Sequence, residues 1–177
     1  MLIDSHCHLN YPGLVEDRPG VLARARIAGV SGFLGISTRR NEWDAVIGQA
    51  DGEKDVWATV GIHPHEADLH PDTDAAALID AAGHGRVIGI GETGLDYFYD
   101  KSDRGRQQAS FRSHIMAARA TGLPLIVHTR DAEADTLALL REPGEGELRG
   151  VIHCFTASQD FAEQALGLGF YISLSGI

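Results

Sequence analysis

Seven short runs rich in Val, Ile and Leu, separated by longer amphipathic stretches, constrain the fold of this chain more than any other feature. They fall at Leu2–Ser5, Gly32–Ile36, Trp57–Gly61, Val87–Gly91, Leu125–Val127, Val151–Ile152 and Tyr171–Leu174. Apolar runs of that length read as strands buried on both faces. Between them, Val21–Ala28, Asn41–Asp51, Asp74–Ala82, Gln107–Thr121, Ala132–Arg141 and Gln159–Leu168 carry the spacing of amphipathic helices. Strand and helix in alternation make a parallel α/β fold. Local punctuation agrees: Ser158 stands where an N-cap belongs, Gly169 follows where its helix should stop, and Gly122 with Pro124 closes the Gln107 helix. Pro143–Gly150 joins two units of the same pattern, so it reads as a loop, and residues 1–177 are expected to form one domain.

Such a chain can form a doubly wound open sheet or a (β/α)8 barrel, and the position of its histidines decides between them. An open sheet builds a site from the few strands beside a switch point, whereas a barrel brings the C-terminal end of every strand to one mouth. In Asp4-Ser5-His6-Cys7-His8, alternation puts Asp4, His6 and His8 on one face of the first strand. Leu125-Ile126-Val127-His128 and Gly150-Val151-Ile152-His153 each end an apolar strand with an imidazole, and Glu92 follows Ile90-Gly91 at the end of the fourth. One His-x-His pair on a strand is commonly two satisfied histidines. Four imidazoles and a carboxylate at the ends of strands one, four, five and six are a metal site that only a barrel can assemble. His6, His8, Glu92, His128 and His153 are therefore the predicted ligands of one or two divalent ions, Mg²⁺, Mn²⁺ or Zn²⁺. Imidazole softness favours Zn²⁺, Fe²⁺ or Mn²⁺ over Mg²⁺.

A lone buried glutamate is costly unless paired or metal-bound. The only lysines, Lys54 and Lys101, do not end strands, so Glu92 is the natural group to bridge two ions and the predicted catalytic carboxylate. The glycines beside it would let backbone or ligand come close. His63 and His65, in the Pro-stiffened loop after strand three, read equally well as solvent-facing or as contacts to a substrate phosphate. Arg130, two residues past His128, is placed to pair with an anionic substrate. His70, His84 and His114 read as surface residues. Cys7 and Cys154 should turn away from the mouth and pack as small hydrophobes.

Net charge and hydropathy bound the rest. A formal charge of −10 argues against a broad phosphate-gripping surface, although bound dications can supply positive charge locally. No apolar run reaches the roughly eighteen residues of a membrane span, and the opening Asp-Ser-His sequence is unlike a signal peptide, so a cytoplasmic location is expected.

These motifs resemble the TatD family of metal-dependent hydrolases. The resemblance is carried by Leu2-Ile3-Asp4-Ser5-His6-Cys7-His8-Leu9-Asn10, Gly61-Ile62-His63-Pro64-His65, Gly91-Glu92-Thr93-Gly94-Leu95-Asp96 and Pro124-Leu125-Ile126-Val127-His128-Thr129-Arg130, in that order. It implies a distorted TIM barrel, Mg²⁺- or Mn²⁺-dependent deoxyribonuclease activity, DNA or another phosphodiester as the partner, and the five ligands above; no membrane or stable protein partner is expected. Deacylation of D-aminoacyl-tRNA, or of another ester or amide, is the enzymatic alternative, and an inactive metal-binding fragment the other. The family's last signature, a Glu-Thr-Asp-x-Pro segment at strand eight whose Asp is a metal ligand, does not occur in the 177 residues. An incomplete barrel is therefore expected, with about seven of eight strands and neither strand eight nor the final helix, weak or inactive alone.

Overall fold

The computed structural model describes residues 2–175. Among them, seven strands alternate with six α-helices. The strands are β1 (Leu2–Cys7), β2 (Val30–Gly35), β3 (Val56–Val60), β4 (Val87–Asp96), β5 (Leu125–Arg130), β6 (Gly150–Ile152) and β7 (Phe170–Ile172). The helices are α1 (Arg18–Ile27), α2 (Trp43–Asp51), α3 (Ala75–Ala82), α4 (Arg104–Thr121), α5 (Glu133–Leu140) and α6 (Gln159–Gly167). All strand pairings are parallel, in the order β1-β2-β3-β4-β5-β6-β7. Strands thus neighbour one another in chain order, as in a barrel. A doubly wound sheet would instead reverse direction at a switch point.

Packing follows burial. Phe33, Val56, Ala58, Val60, Ile90, Leu125, Val127 and Ile152 of the strands meet Leu22, Val46, Leu78, Phe111, Leu137 and Phe161 of the helices in one apolar cluster. The outermost strands depart from the expectation of burial on both faces. Among the described residues β1 pairs only with β2 and β7 only with β6, which leaves Leu2, Ile3 and Tyr171 exposed. No helix among the described residues is long and apolar enough to cross a membrane.

Helix ends behave as their sequences require. Ser158 accepts a hydrogen bond from the Phe161 N–H at 3.2 Å, and Gly122 takes φ +69° while its N–H donates to the Ala118 carbonyl. That left-handed cap suits a residue without a Cβ.

His114 does not lie on the surface. Its side chain is fully buried on the inner face of α4, where Nδ1–H donates to the Ser110 carbonyl at 2.7 Å and Nε2 accepts the Ile62 N–H at 2.9 Å. A neutral imidazole satisfied at both nitrogens is a stable core element, and this one anchors the backbone just before His63. Burial pushes its pKa down to about 4. Below the ordinary 6.5 the unfolded chain takes up this proton first. His114 stability is therefore complete above pH 6.5 and is lost as pH falls toward 4, by up to about 3 kcal/mol. A His114→Leu variant should be about 1–3 kcal/mol less stable at pH 8, from the unpaired Ile62 N–H. Its urea midpoint should also depend less on acid than the wild type's between those pH values.

Candidate metal centre

The functional side chains reach the mouth of the half-barrel from the ends of five strands. His6 lies near the end of β1 and His8 just beyond it; His63 and His65 follow β3; Glu92 sits on β4, His128 on β5, and His153 just past β6. Backbone hydrogen bonds set their heights. Glu92 N–H donates to the Ser37 carbonyl at 3.1 Å and His153 N–H to the Val127 carbonyl at 2.9 Å. Trp43 Nε1–H fixes the Gly61 carbonyl at 3.0 Å.

Glu92 is the hub. It is buried, and its Oε2 lies 3.2 Å from His6 Nε2 and 3.9 Å from His8 Nε2. Oε1 lies 2.7 Å from His153 Nε2 and 3.4 Å from both His63 Nε2 and His128 Nδ1. Two triads with ligand atoms mutually within 4.8 Å share this carboxylate: His6, Glu92 and His153, and His63, Glu92 and His128. The structure thus brings together all five predicted ligands and draws His63 into contact with the same carboxylate. The site opens into a cavity of about 360 Å³, rimmed by Tyr11, Thr38, Arg39, His65, Glu66 and Lys101.

Asp96 escapes sequence reasoning, because β4 was expected to stop at Gly91. The strand instead runs to Asp96, so Glu92 lies within it. Gly91 and Gly94 make that possible: both have positive φ, and a Cβ on Gly94 would run into the His128 carbonyl of β5. These glycines serve close approach between strands. The period-2 series Glu92, Gly94, Asp96 was the available signal. Asp96 is buried, and its Oδ2 accepts from His65 Nε2 and His128 Nε2 at 2.9 Å each, while Oδ1 accepts the Tyr99 N–H at 2.8 Å. Gln107 of α4 clamps the Asp96 backbone, accepting its N–H at 2.8 Å and donating to its carbonyl at 3.2 Å.

The electrostatics suit a cation. Burial holds His63 down to about 3, and lowers His8 and His153 against the pull of Glu92; all three are neutral imidazoles near pH 7. His128 is the exception: burial opposes its charge, but Asp96 and then Glu92 lift it to about 9. Burial also opposes ionisation of Glu92, yet contacts from His128, His153 and His6 hold it well below the ordinary carboxylate range. His153 Nε2 is buried close to Glu92 without the geometry of a hydrogen bond. Glu92 is therefore ringed by imidazole nitrogens, a nitrogen and carboxylate donor set that fits a divalent ion. With Asp96 accepting at Nε2, His128 can offer Nδ1 toward Glu92, the carboxylate–histidine–metal arrangement. An Asp96→Asn variant should lose about 10- to 100-fold in metal affinity, read by chelator competition, with its fold intact by circular dichroism.

Arg130 lies outside this cavity. Its guanidinium sits 4.2 Å over the Phe98 ring and 4.9 Å from that of Tyr99, and it lines a second cavity of about 260 Å³ with Thr129, Glu133 and Thr156. His70 is half-buried and His84 exposed, both away from the mouth. Cys7 is half-buried against the core, its thiol 3.3 Å from the Leu34 carbonyl, and burial pushes it up to about 12. Cys154 is half-buried and unbonded to Cys7.

Parallel strands in barrel order, delivering imidazoles and carboxylates to one mouth, are the build of a metal-dependent hydrolase. Residues 3–177 match the model of the TatD related DNase family. The chain is 44% identical over 183 aligned residues to the uncharacterized metal-dependent hydrolase YcfH of Escherichia coli K12, covering 99% of this chain and 67% of the relative. It is 38% identical to the 3'-5' ssDNA/RNA exonuclease TatD of Cronobacter sakazakii, covering 91% of this chain and 61% of that protein. The crystal structure of YJJV, a TatD homolog from Escherichia coli K12, superposes with a TM-score of 0.89 at 29% identity, over 97% of this chain and 66% of that one. This chain belongs to the TatD family of metal-dependent hydrolases. It spans about two thirds of the length of these relatives.

Proposed function

We propose that this chain forms, as one domain, the metal-binding part of a phosphodiesterase acting on DNA, a deoxyribonuclease. One observation carries the reading: a single buried carboxylate, Glu92, is shared by two triads of ligand atoms, one with His6 and His153 and the other with His63 and His128. In this reading His6, His8 and His153 hold one side of the site, His128 the other, and Glu92 stands between them. A divalent ion bound there supplies Lewis-acid polarisation of a phosphoryl oxygen and an acidified water. His63 and His65 orient a phosphate within the cavity. Lys101 and Arg39 at its rim offset the substrate's negative charge, although Arg39 is already shared with Glu66 at 2.8 Å. Asp96 holds His65 and His128 in register. The name of the Cronobacter relative, a single-strand DNA and RNA exonuclease, supports a nucleic-acid substrate, and the two free thiols fit a reducing, cytoplasmic setting.

The ion is proposed to be Mn²⁺ or Zn²⁺ in preference to Mg²⁺, because imidazoles outnumber carboxylates in the donor set. Elemental analysis of protein purified without added metal checks this. The decisive assay compares turnover of DNA and of D-aminoacyl-tRNA by the same metal-loaded preparation, with and without EDTA. Cleavage of DNA that EDTA abolishes and Mn²⁺ restores is expected. Turnover of the aminoacyl ester alone would replace phosphodiester chemistry with deacylation, and metal uptake without turnover of either substrate would leave only a metal-binding domain.

A further inference from the structure

Immediately past Asp96 the chain runs Tyr97-Phe98-Tyr99, and the three aromatics have different fates. Tyr97 is anchored: its hydroxyl donates to Asp135 at 2.7 Å and accepts from Gln108 at 2.9 Å, and Arg104 sits over its ring at 4.3 Å. Phe98 and Tyr99 turn outward, 54% and 51% exposed, with ring centroids 4.8 Å apart and planes nearly perpendicular. Single exposed aromatics are ordinary, but these two occupy a defined place. The Tyr99 ring meets His65 edge-on at 5.5 Å, and its backbone N–H is bound by the same Asp96 that holds His65 and His128. Two cations attend the pair, with Arg130 over both rings and Lys101 Nζ at 5.7 Å from Tyr99.

We infer that Phe98, Tyr99 and the guanidinium plane of Arg130 form a stacking platform for an unpaired nucleobase of the strand whose phosphate enters the Glu92 site. Exposed aromatic faces interleaved with cations next to a polar cavity that can admit a phosphate are the elements of single-strand recognition: π-faces take bases and cations follow the backbone. In a duplex the base faces are already stacked, so the platform selects single strands. A protein partner would match the aromatic faces equally well, but not Arg130 and Lys101 beside a site already rich in imidazole nitrogens. The inference rests on the phosphodiester reading above, and it assigns to residues outside the metal cavity the discrimination among phosphodiesters.

The test is binding in EDTA, where no turnover occurs, of a short fluorescein-labelled oligothymidylate, an abasic strand of equal length and a duplex. The wild type is expected to bind oligothymidylate about 10- to 100-fold more tightly than the abasic strand, the range of a stacked base, and more tightly than the duplex. The double variant Phe98→Ala, Tyr99→Ala should bring oligothymidylate down to the abasic level, and Phe98→Trp should keep the preference. Equal wild-type binding of the oligothymidylate and abasic strands overturns the platform, whatever the variants do. So does a preference that survives the double substitution, or duplex binding as tight as that of the single strand. The two readings separate cleanly. Base-dependent binding without metal-dependent cleavage keeps the platform and removes the nuclease; equal cleavage and binding of natural and abasic strands does the reverse.

Discussion

Glu92→Gln is expected to leave a folded protein that no longer retains a divalent ion and turns over phosphodiesters at background rate. The substitution keeps the shape of the side chain and removes its charge, so it tests electrostatics without opening a cavity. Loss of an outer-shell partner costs about 10- to 100-fold in metal affinity, and Glu92, which touches both triads, should cost more than that. Proton balance strengthens the expectation. In the wild type, Glu92 and Asp96 together lift His128 to about 9, so ion binding at neutral pH must displace a proton from that imidazole. Without the Glu92 charge His128 loses one of its two counter-ions and titrates lower, so less proton should be released. Calorimetry in two buffers of different ionisation enthalpy reads that proton, and elemental analysis reads the metal. A Glu92→Gln protein with wild-type metal content and turnover would remove this carboxylate from the site.

The sequence carried the fold well because two of its signals were complementary. Apolar runs separated by helical spacing demand parallel strands but leave an open sheet possible, and strand-end histidines on separate units demand that those strands curve to one mouth. His6, His8, His128 and His153 were legible because each ends a recognisable strand. Asp96 was not, since Gly91 and Gly94 look like punctuation. In the structure they are the means by which β4 continues against β5. His114 was misplaced for a different reason. Its fate depends on Ile62, 52 residues away, and no local pattern announces a backbone N–H that needs an acceptor. Alternation puts Arg130 on the same strand face as His128, but the Phe98 and Tyr99 rings hold its guanidinium at the neighbouring cavity, outside the one that Glu92 lines. Strand ends can thus be read locally, whereas the groups that orient them are set by tertiary contacts.

That distinction yields the second large effect. Gly94→Ala alters no ligand, yet it should damage the site as severely as loss of one. Gly94 has φ +132°, a conformation that side chains rarely adopt, and it pairs directly with His128 across β4 and β5. A Cβ there meets the His128 carbonyl, so either β5 moves or the β4 backbone rotates. Both displace His128 from the space between Glu92 and Asp96. The expected cost is about 3 kcal/mol or more, since backbone strain of about 1–3 kcal/mol is added to a clash with backbone that has no rotamer escape. For a chain of this size each kcal/mol lowers the melting midpoint by roughly 2–4 °C, so a fall of about 6–12 °C should be seen. Gly122→Ala supplies the control: its φ is +69° and a Cβ there meets nothing within 4 Å, so it carries conformational strain alone, about 1 kcal/mol, and leaves metal affinity untouched. Equal melting losses in the two variants would show that φ, and not the approach of β4 to β5, makes Gly94 necessary. A larger loss at Gly94, accompanied by weakened metal binding, would tie the position of His128 to a residue that bears no side chain.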